Sequence, residues 1–67
     1  MDEPLDLLEA RDRWLGEARA IMADIAHHRA SRVWIALRVL MSLSDDEAER
    51  REAEELGCLL FGWARAA

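Results

Sequence analysis

Apolar residues recur along the N-terminal two thirds of the chain at spacings of three, four and seven, which is typical of one face of an α-helix. Between Gly16 and Gly57 the sequence contains neither glycine nor proline. The pattern therefore predicts one long helix over about residues 4–42. Arg29 and Arg32 interrupt the stripe, so the alternative is a three-helix bundle with a bend near residues 28–31. The apolar stripe consists of Leu8, Leu15, Ala18, Met22, Ile25, Ala36, Val39, Leu40 and Leu43.

A shorter second helix is predicted over about residues 45–65 by the sequence Ser44-Asp45-Asp46-Glu47. In a capping box, the Ser44 hydroxyl accepts a hydrogen bond from the backbone N–H of Glu47, and the Glu47 carboxylate accepts one from the N–H of Ser44. The turn before this cap folds the two helices into an antiparallel hairpin. Residues 1–67 are therefore expected to form a single all-α helical-hairpin domain.

The second half of this second helix is apolar nearly all round, which is seldom left in water. Two glycines interrupt it, and each costs about 1 kcal/mol relative to alanine in a helix interior. Gly57 and Gly62 are therefore expected to admit another backbone at close range, or Gly57 to end the helix. The apolar residues of this segment are Leu56, Cys58, Leu59, Leu60, Phe61 and Trp63.

The second helix is too short to cover residues 5–19 of the first one, although that segment carries large apolar side chains. Burying such a side chain is worth roughly 1.5–3 kcal/mol, so we expect a homodimeric four-helix bundle, with a different protein as the alternative partner. The expected interface residues are Leu5, Leu8, Trp14, Leu15, Leu59, Phe61 and Trp63. The hairpin is also expected to pair Arg38 with Glu49 or Glu52, and Arg32 with Glu54 or Glu55.

Composition narrows the class of protein further. The 67 residues include nine arginines and 14 acidic residues, for a net charge of −5, and residues 25–44 contain no acid at all. One cysteine, Cys58, excludes an intrachain disulfide. The start of the sequence shows no signal-peptide pattern, and no apolar run is long enough to cross a bilayer. We therefore expect a soluble, cytoplasmic protein.

The only candidate for metal or acid–base chemistry is the pair His27 and His28, with Asp24 three and four residues earlier on the same helix face. A second histidine-rich segment and a Glu-x-x-His pattern are both absent. Cys58 has no neighbouring histidine or lysine to activate its thiol, and no glycine-rich phosphate loop occurs. The sequence therefore predicts no catalytic residue, metal or cofactor.

Nucleic-acid binding is the alternative function. Asp24-Ile25-Ala26, Ser31-Arg32 and Arg38-Val39-Leu40 loosely resemble, in that order, the helix-turn-helix of lac-repressor-type regulators, but the turn glycine is missing and Trp34 replaces a small polar residue. An isoelectric point near 4.9 has the wrong sign for binding phosphates. The candidate contacts are His27, His28, Arg29, Arg32 and Arg38. We expect instead a non-enzymatic protein–protein interaction module: an adaptor, a chaperone-like protein or an inhibitor.

Overall fold

The computed structural model describes the backbone of residues 4–64 and the side chains of residues 7–64. Within this part every regular element is helical, which confirms the all-α class. The prediction of a single long helix was wrong, and the alternative with three helices describes the chain. The elements are α1 (Pro4–Met22), a 3₁₀ turn (Ile25–His27), α2 (Ala30–Leu43) and α3 (Glu47–Phe61).

The chain leaves α1 and enters α2 without help from glycine or proline. The backbone departs from helical geometry at Asp24 (φ −143°, ψ 49°) and returns after Arg29 (φ −67°, ψ 152°). Such a break loses some helical hydrogen bonds, each worth about 0.5–1.5 kcal/mol net. In return α1 folds back and buries Leu15 against α2, and burial of one such side chain is worth roughly 1.5–3 kcal/mol. Tertiary burial therefore overrides local helix propensity here.

Helix α2 is the centre of the fold, because both α1 and α3 pack on it. Leu37, near its middle, is completely buried. Leu15 and Ala18 of α1 belong to the same core, so the expectation that residues 5–19 lack intrachain cover was wrong for these two residues. The buried core consists of Leu15, Ala18, Val33, Ala36, Leu37, Leu40 and Ala53.

The cap of α3 lies two residues later than the sequence predicted. Asp46, not Ser44, is the N-cap: its carboxylate accepts hydrogen bonds from the N–H groups of Ala48 (2.9 Å) and Glu49 (3.3 Å). The Ser44 N–H donates to the Leu40 carbonyl oxygen (3.1 Å), so Ser44 ends α2 instead. Its hydroxyl accepts from the N–H of Asp46 (3.1 Å) and donates to the Glu49 carboxylate (2.5 Å). Ser44 thus connects the end of one helix to the start of the next.

At its other end α3 stops at Phe61, because Gly62 adopts the left-handed conformation (φ 70°) and its N–H donates to the Cys58 carbonyl oxygen (3.1 Å). The chain then turns back, and the indole of Trp63 lies on the backbone of Gly57. A Cβ atom at position 57 would come within 3.0 Å of three ring carbons. The prediction of a helix to residue 65 was therefore wrong, and Gly57 admits an aromatic ring rather than another backbone.

Candidate interaction surfaces

A shallow apolar groove of about 240 Å³ runs between α1 and α2 on the side away from α3. Trp14 and Ile35 stand on its two edges with 52% and 56% of their surface exposed. Leu7, one heptad before Trp14, extends the same face of α1 and is also exposed. We call this surface the α1/α2 groove; it is lined by Trp14, Glu17, Ala18, Ile21, Ile35, Ala36 and Val39.

A second opening lies between α1 and α3, and residues of α2 also line it. This α1/α3 cleft has a volume of about 280 Å³. Its apolar residues are Met22, Ala23, Leu37, Leu40, Ala53 and Leu56, and its charged residues are Arg19, Glu49 and Glu52.

Near the C-terminal end of α3 a further pocket of about 250 Å³ is formed by Ile25, His28, Ala30, Val33, Leu60 and Phe61. Leu59 and Leu60 stand beside it with 79% and 50% of their surface exposed. Leu56 precedes them by three and four residues, so the three leucines share one side of α3. We call Ile25, Leu56, Leu59 and Leu60 the leucine end. It adjoins the α1/α3 cleft, because Leu56 also lines that cleft.

Two ion pairs join α1 to the first turn of α3 and to the connection that precedes it. The Arg19 guanidinium donates two hydrogen bonds of 2.9 Å to the Glu49 carboxylate. The hydrogen bonds from Arg19 and, next in size, from the Ser44 hydroxyl lower the pKa of Glu49 to about 2. Arg11 contacts the Asp45 carboxylate (2.7 Å) and donates a hydrogen bond to the carbonyl oxygen of Leu43 (2.6 Å).

These pairs correct the charge pairing expected for the hairpin. Glu49 binds Arg19 rather than Arg38, because the folded-back α1 brings its own arginine to the start of α3. The Arg38 guanidinium lies instead over the indole rings of Trp34 (5.5 Å to the ring centre) and Trp63 (5.8 Å). The expected Arg38–Glu49 pair was therefore wrong.

The aromatic side chains of the C-terminal segment form an intrachain cluster. Trp34 and Trp63 meet edge to face, with ring centres 5.7 Å apart and an interplanar angle of 88°. Phe61 stacks on Trp63 at 5.8 Å. Such pairs contribute about 0.5–1.5 kcal/mol beyond the area they bury. Phe61 and Trp63 therefore already make aromatic contacts within the chain, although the sequence predicted them as interface residues.

The other expected interface residues differ in how much of their surface is exposed. Leu8, Trp14 and Leu59 are exposed and available to a partner. Leu15 is only 4% exposed and belongs to the core, so it cannot contact a partner in this conformation. The side chain of Leu5 lies outside the described residues. Ile35 was missed, although its spacing of four residues from Val39 was a signal that both face one side of the helix.

The five candidate nucleic-acid contacts lie in different surroundings. His27, Arg29 and Arg32 are exposed around the 3₁₀ turn and the first turn of α2. His28 is half-buried and lines the pocket at the leucine end, and Arg38 lies over the tryptophans.

His27 Nδ1 lies 2.5 Å from a carboxylate oxygen of Asp24, as their spacing suggested. Among residues 7–64, however, no group of three histidine, cysteine or acidic side chains is placed to hold a metal ion. The thiol of Cys58 is free and half-buried.

The described helices include none that is both long and apolar enough to cross a membrane. Comparison of the chain with protein-family models, with curated proteins and with solved structures found no match. Residues 4–64 form three α-helices, and the apolar surfaces that they leave open to solvent are the α1/α2 groove, the α1/α3 cleft and the leucine end.

Proposed function

We propose that this chain is a non-enzymatic protein–protein interaction module, an adaptor, chaperone-like protein or inhibitor that binds other proteins through its helical surface. The observation that carries the proposal is the leucine end, where Leu59 and Leu60 project into solvent next to an apolar cleft. Exposed, contiguous apolar side chains on a small domain mark interaction sites. An amphipathic helix of a partner would cover them by laying its own apolar face in the cleft.

The charges beside the cleft favour a basic partner helix. Glu52 lines the cleft and Glu55, one turn further along α3, is exposed. Arg19 adds little free positive charge, because the Glu49 carboxylate accepts two hydrogen bonds from its guanidinium. Lysine or arginine residues flanking the apolar face of a partner helix would therefore lie close to carboxylates. The net charge of −5 also favours a basic partner.

Affinity capture with three matched baits tests this proposal: the wild-type chain, the double variant Leu59→Glu and Leu60→Glu, and a control with Ala20→Glu and Ser31→Glu on exposed positions elsewhere. We expect a defined protein to be retained by the wild type and the control and lost with the leucine variant. Equal retention by all three baits, or by none, would contradict the proposal. Thermal melting followed by circular dichroism checks that each bait is folded, since exposed substitutions change stability by only about 0.5 kcal/mol.

We also propose that the active form is a homodimer in which α1 and α2 of two copies form a four-helix bundle at the α1/α2 groove. The half-exposed Trp14 and Ile35 on the edges of that groove support it, because both are residue types that gain much from burial. Sedimentation equilibrium at micromolar concentration tests it. A mass of only 7.7 kDa would show a monomer and refute the dimer, and a different protein would then be the candidate for the groove.

Nucleic-acid binding remains the second candidate, because Arg29 and Arg32 are exposed and make no ion pair within the described part of the chain. The net charge of −5 opposes it. A mobility shift with duplex DNA or structured RNA at about 50 mM salt, lost at higher salt and in the variant Arg29→Ala with Arg32→Ala, would support it. Absence of any shift at low salt would exclude this function.

A further inference from the structure

We propose that two copies of this chain exchange their first helices. In the exchanged dimer the break between α1 and α2 straightens into one continuous helix, and α1 of each copy packs on α2 of the partner subunit. The contacts that α1 makes within one chain are then made between two chains. This inference goes beyond the proposed homodimer, because it uses the face of α1 that the fold already buries and not the α1/α2 groove.

The break consists of residues that are compatible with a helix. Residues 23–29 join α1 to α2 and contain neither glycine nor proline. Asp24 precedes the 3₁₀ turn and Arg29 precedes α2, and neither side chain makes a capping hydrogen bond there. The segment therefore lacks both the residues that stop a helix and the caps that would hold the two helix ends apart.

The break also leaves helical hydrogen bonds unmade. The backbone N–H groups of five residues at the break have no backbone acceptor within the described residues 4–64. In a continuous helix each of them would donate to the carbonyl oxygen four residues earlier. Straightening therefore adds hydrogen bonds that the closed chain lacks. The five residues are Ile25, Ala26, Arg29, Ala30 and Ser31.

A second copy can make every contact that holds α1 in place. The core face of α1, with Leu15, packs on α2. Two ion pairs, Arg19–Glu49 and Arg11–Asp45, join α1 to the segment that follows α2. Because the two copies are identical, α1 of the partner subunit presents the same side chains to the same positions. The exchange therefore keeps these contacts, which is why swapping an identical element is a low-cost route to a dimer.

Protein concentration decides between the closed chain and the exchanged dimer. Association costs translational and rotational freedom, so the closed chain is favoured in dilute solution. The exchanged dimer gains the helical hydrogen bonds of two breaks at once, and mass action favours it as the concentration rises. Its continuous helix covers residues 4–43, a length of about 60 Å at 1.5 Å per residue.

Proline at position 30 distinguishes the two forms. Ala30 is exposed and begins α2, and Arg29 before it is extended (φ −67°, ψ 152°), so proline fits the closed chain. A continuous helix excludes it, because the ring clashes with the carbonyl group four residues earlier. The matched control is Glu47→Pro, since Glu47 begins α3 after the extended Asp46 (φ −87°, ψ 112°) and lies outside the segment that straightens.

The wild type and both proline variants are refolded from urea at micromolar and millimolar concentration, and sedimentation equilibrium gives the dissociation constant of each dimer. We expect Ala30→Pro to raise the constant at least about tenfold and Glu47→Pro to leave it unchanged. A wild type that stays at 7.7 kDa throughout overturns the exchange. Equal constants for the three chains also overturn it, and that result leaves the proposed homodimer at the groove intact.

A mixture of two charge variants tests the exchange without proline. In Arg19→Glu and in Glu49→Arg the contact between α1 and α3 becomes like-charged, both in the closed chain and in an exchanged homodimer. When the two variants are refolded together, an exchanged heterodimer restores opposite charges at both contacts. We therefore expect the heterodimer to exceed the two homodimers together by about threefold in native mass spectrometry.

The other outcomes of the mixture contradict the exchange. Random association gives as much heterodimer as the two homodimers together. Association through the α1/α2 groove gives the same ratio, because neither Arg19 nor Glu49 lines that groove. Equal amounts therefore overturn the exchange and are compatible with the proposed homodimer, whereas absence of any dimer at millimolar concentration overturns both.

Discussion

Replacement of Gly57 by alanine is predicted to destabilise the protein, although alanine is the better helix former. Gly57 lies inside α3, where the substitution should by propensity alone stabilise the fold by about 1 kcal/mol. The new methyl group, however, would fall within 3.0 Å of three carbons of the Trp63 ring. Either the ring moves away or the backbone shifts, and both disturb the packing at the end of α3.

The expected size of the effect follows from the contacts that the ring makes. Overpacking of this kind costs typically 1–3 kcal/mol. Displacement of the Trp63 ring would also weaken its edge-to-face contact with Trp34 and its contact with the Arg38 guanidinium, each worth about 0.5–1.5 kcal/mol. After the gain in propensity is subtracted, we expect a net loss of about 1–3 kcal/mol. For a domain of this size each kcal/mol lowers the melting temperature by about 4–8 °C.

Thermal and urea denaturation of matched variants provide the test. Gly16→Ala is the control, because Gly16 also lies inside a helix but its new methyl group would have no atom from another part of the fold within 4 Å. That substitution should therefore stabilise by about 0.5–1 kcal/mol. In a Trp63→Ala background Gly57→Ala should also become stabilising. If Gly57→Ala stabilises the wild-type chain as much as it does the Trp63→Ala chain, the proposed contact between ring and backbone is wrong.

Three further predictions concern the ends of α3 and its link to α1. Because the folded-state pKa of Glu49 is about 2, against an ordinary 4.5, its contribution to stability is complete above about pH 5 and is lost as the pH falls towards 2. Glu49→Gln should therefore reduce the change in the free energy of unfolding between pH 5 and pH 2, by on the order of 1 kcal/mol for an exposed pair. An unchanged dependence of that free energy on pH would contradict this. Asp46→Ala should cost about 1 kcal/mol in urea denaturation through loss of the N-cap, and an unchanged midpoint would argue against the cap. Gly62→Ala should cost about 1–2 kcal/mol in thermal melting, because its φ of 70° disfavours a side chain, whereas a neutral effect would show that the helix ends differently.

Local chemistry was sufficient to predict part of the fold. The all-α class follows from a composition of helix formers with a helical spacing of apolar residues. The start of α3 was predicted within two residues, since Ser44 and Asp46 are both good capping residues within one short segment. The sequence does not tell which of them caps, because Ser44 bonds to both helices and only the packed structure decides its role.

The break between α1 and α2 could not be predicted from local signals. Arg29 caps α2 without any side-chain hydrogen bond, and the Asp24 side chain contacts His27 instead of a helix terminus. The Arg19–Glu49 pair could not be predicted from local signals either, because it forms only once α1 folds back on α2. The role of Gly57 was hidden too, because nothing in the sequence shows that the chain reverses at Gly62 and returns Trp63 to it.

The break is also what creates the two apolar surfaces. In an unbroken helix the face of α1 that carries Leu15 and Ala18 would have no cover within the chain, and association would have to bury all of it. When α1 folds back on α2, that face is buried and Trp14 lies on the same groove as Ile35. The apolar surface that stays exposed is then a groove between two helices rather than one side of a single helix. It also sets the end of α1 opposite the end of α3, where Met22 and Leu56 line a separate cleft. The proposed homodimer would cover the groove and leave the cleft open to a different partner, so the two proposed interactions do not compete for one surface.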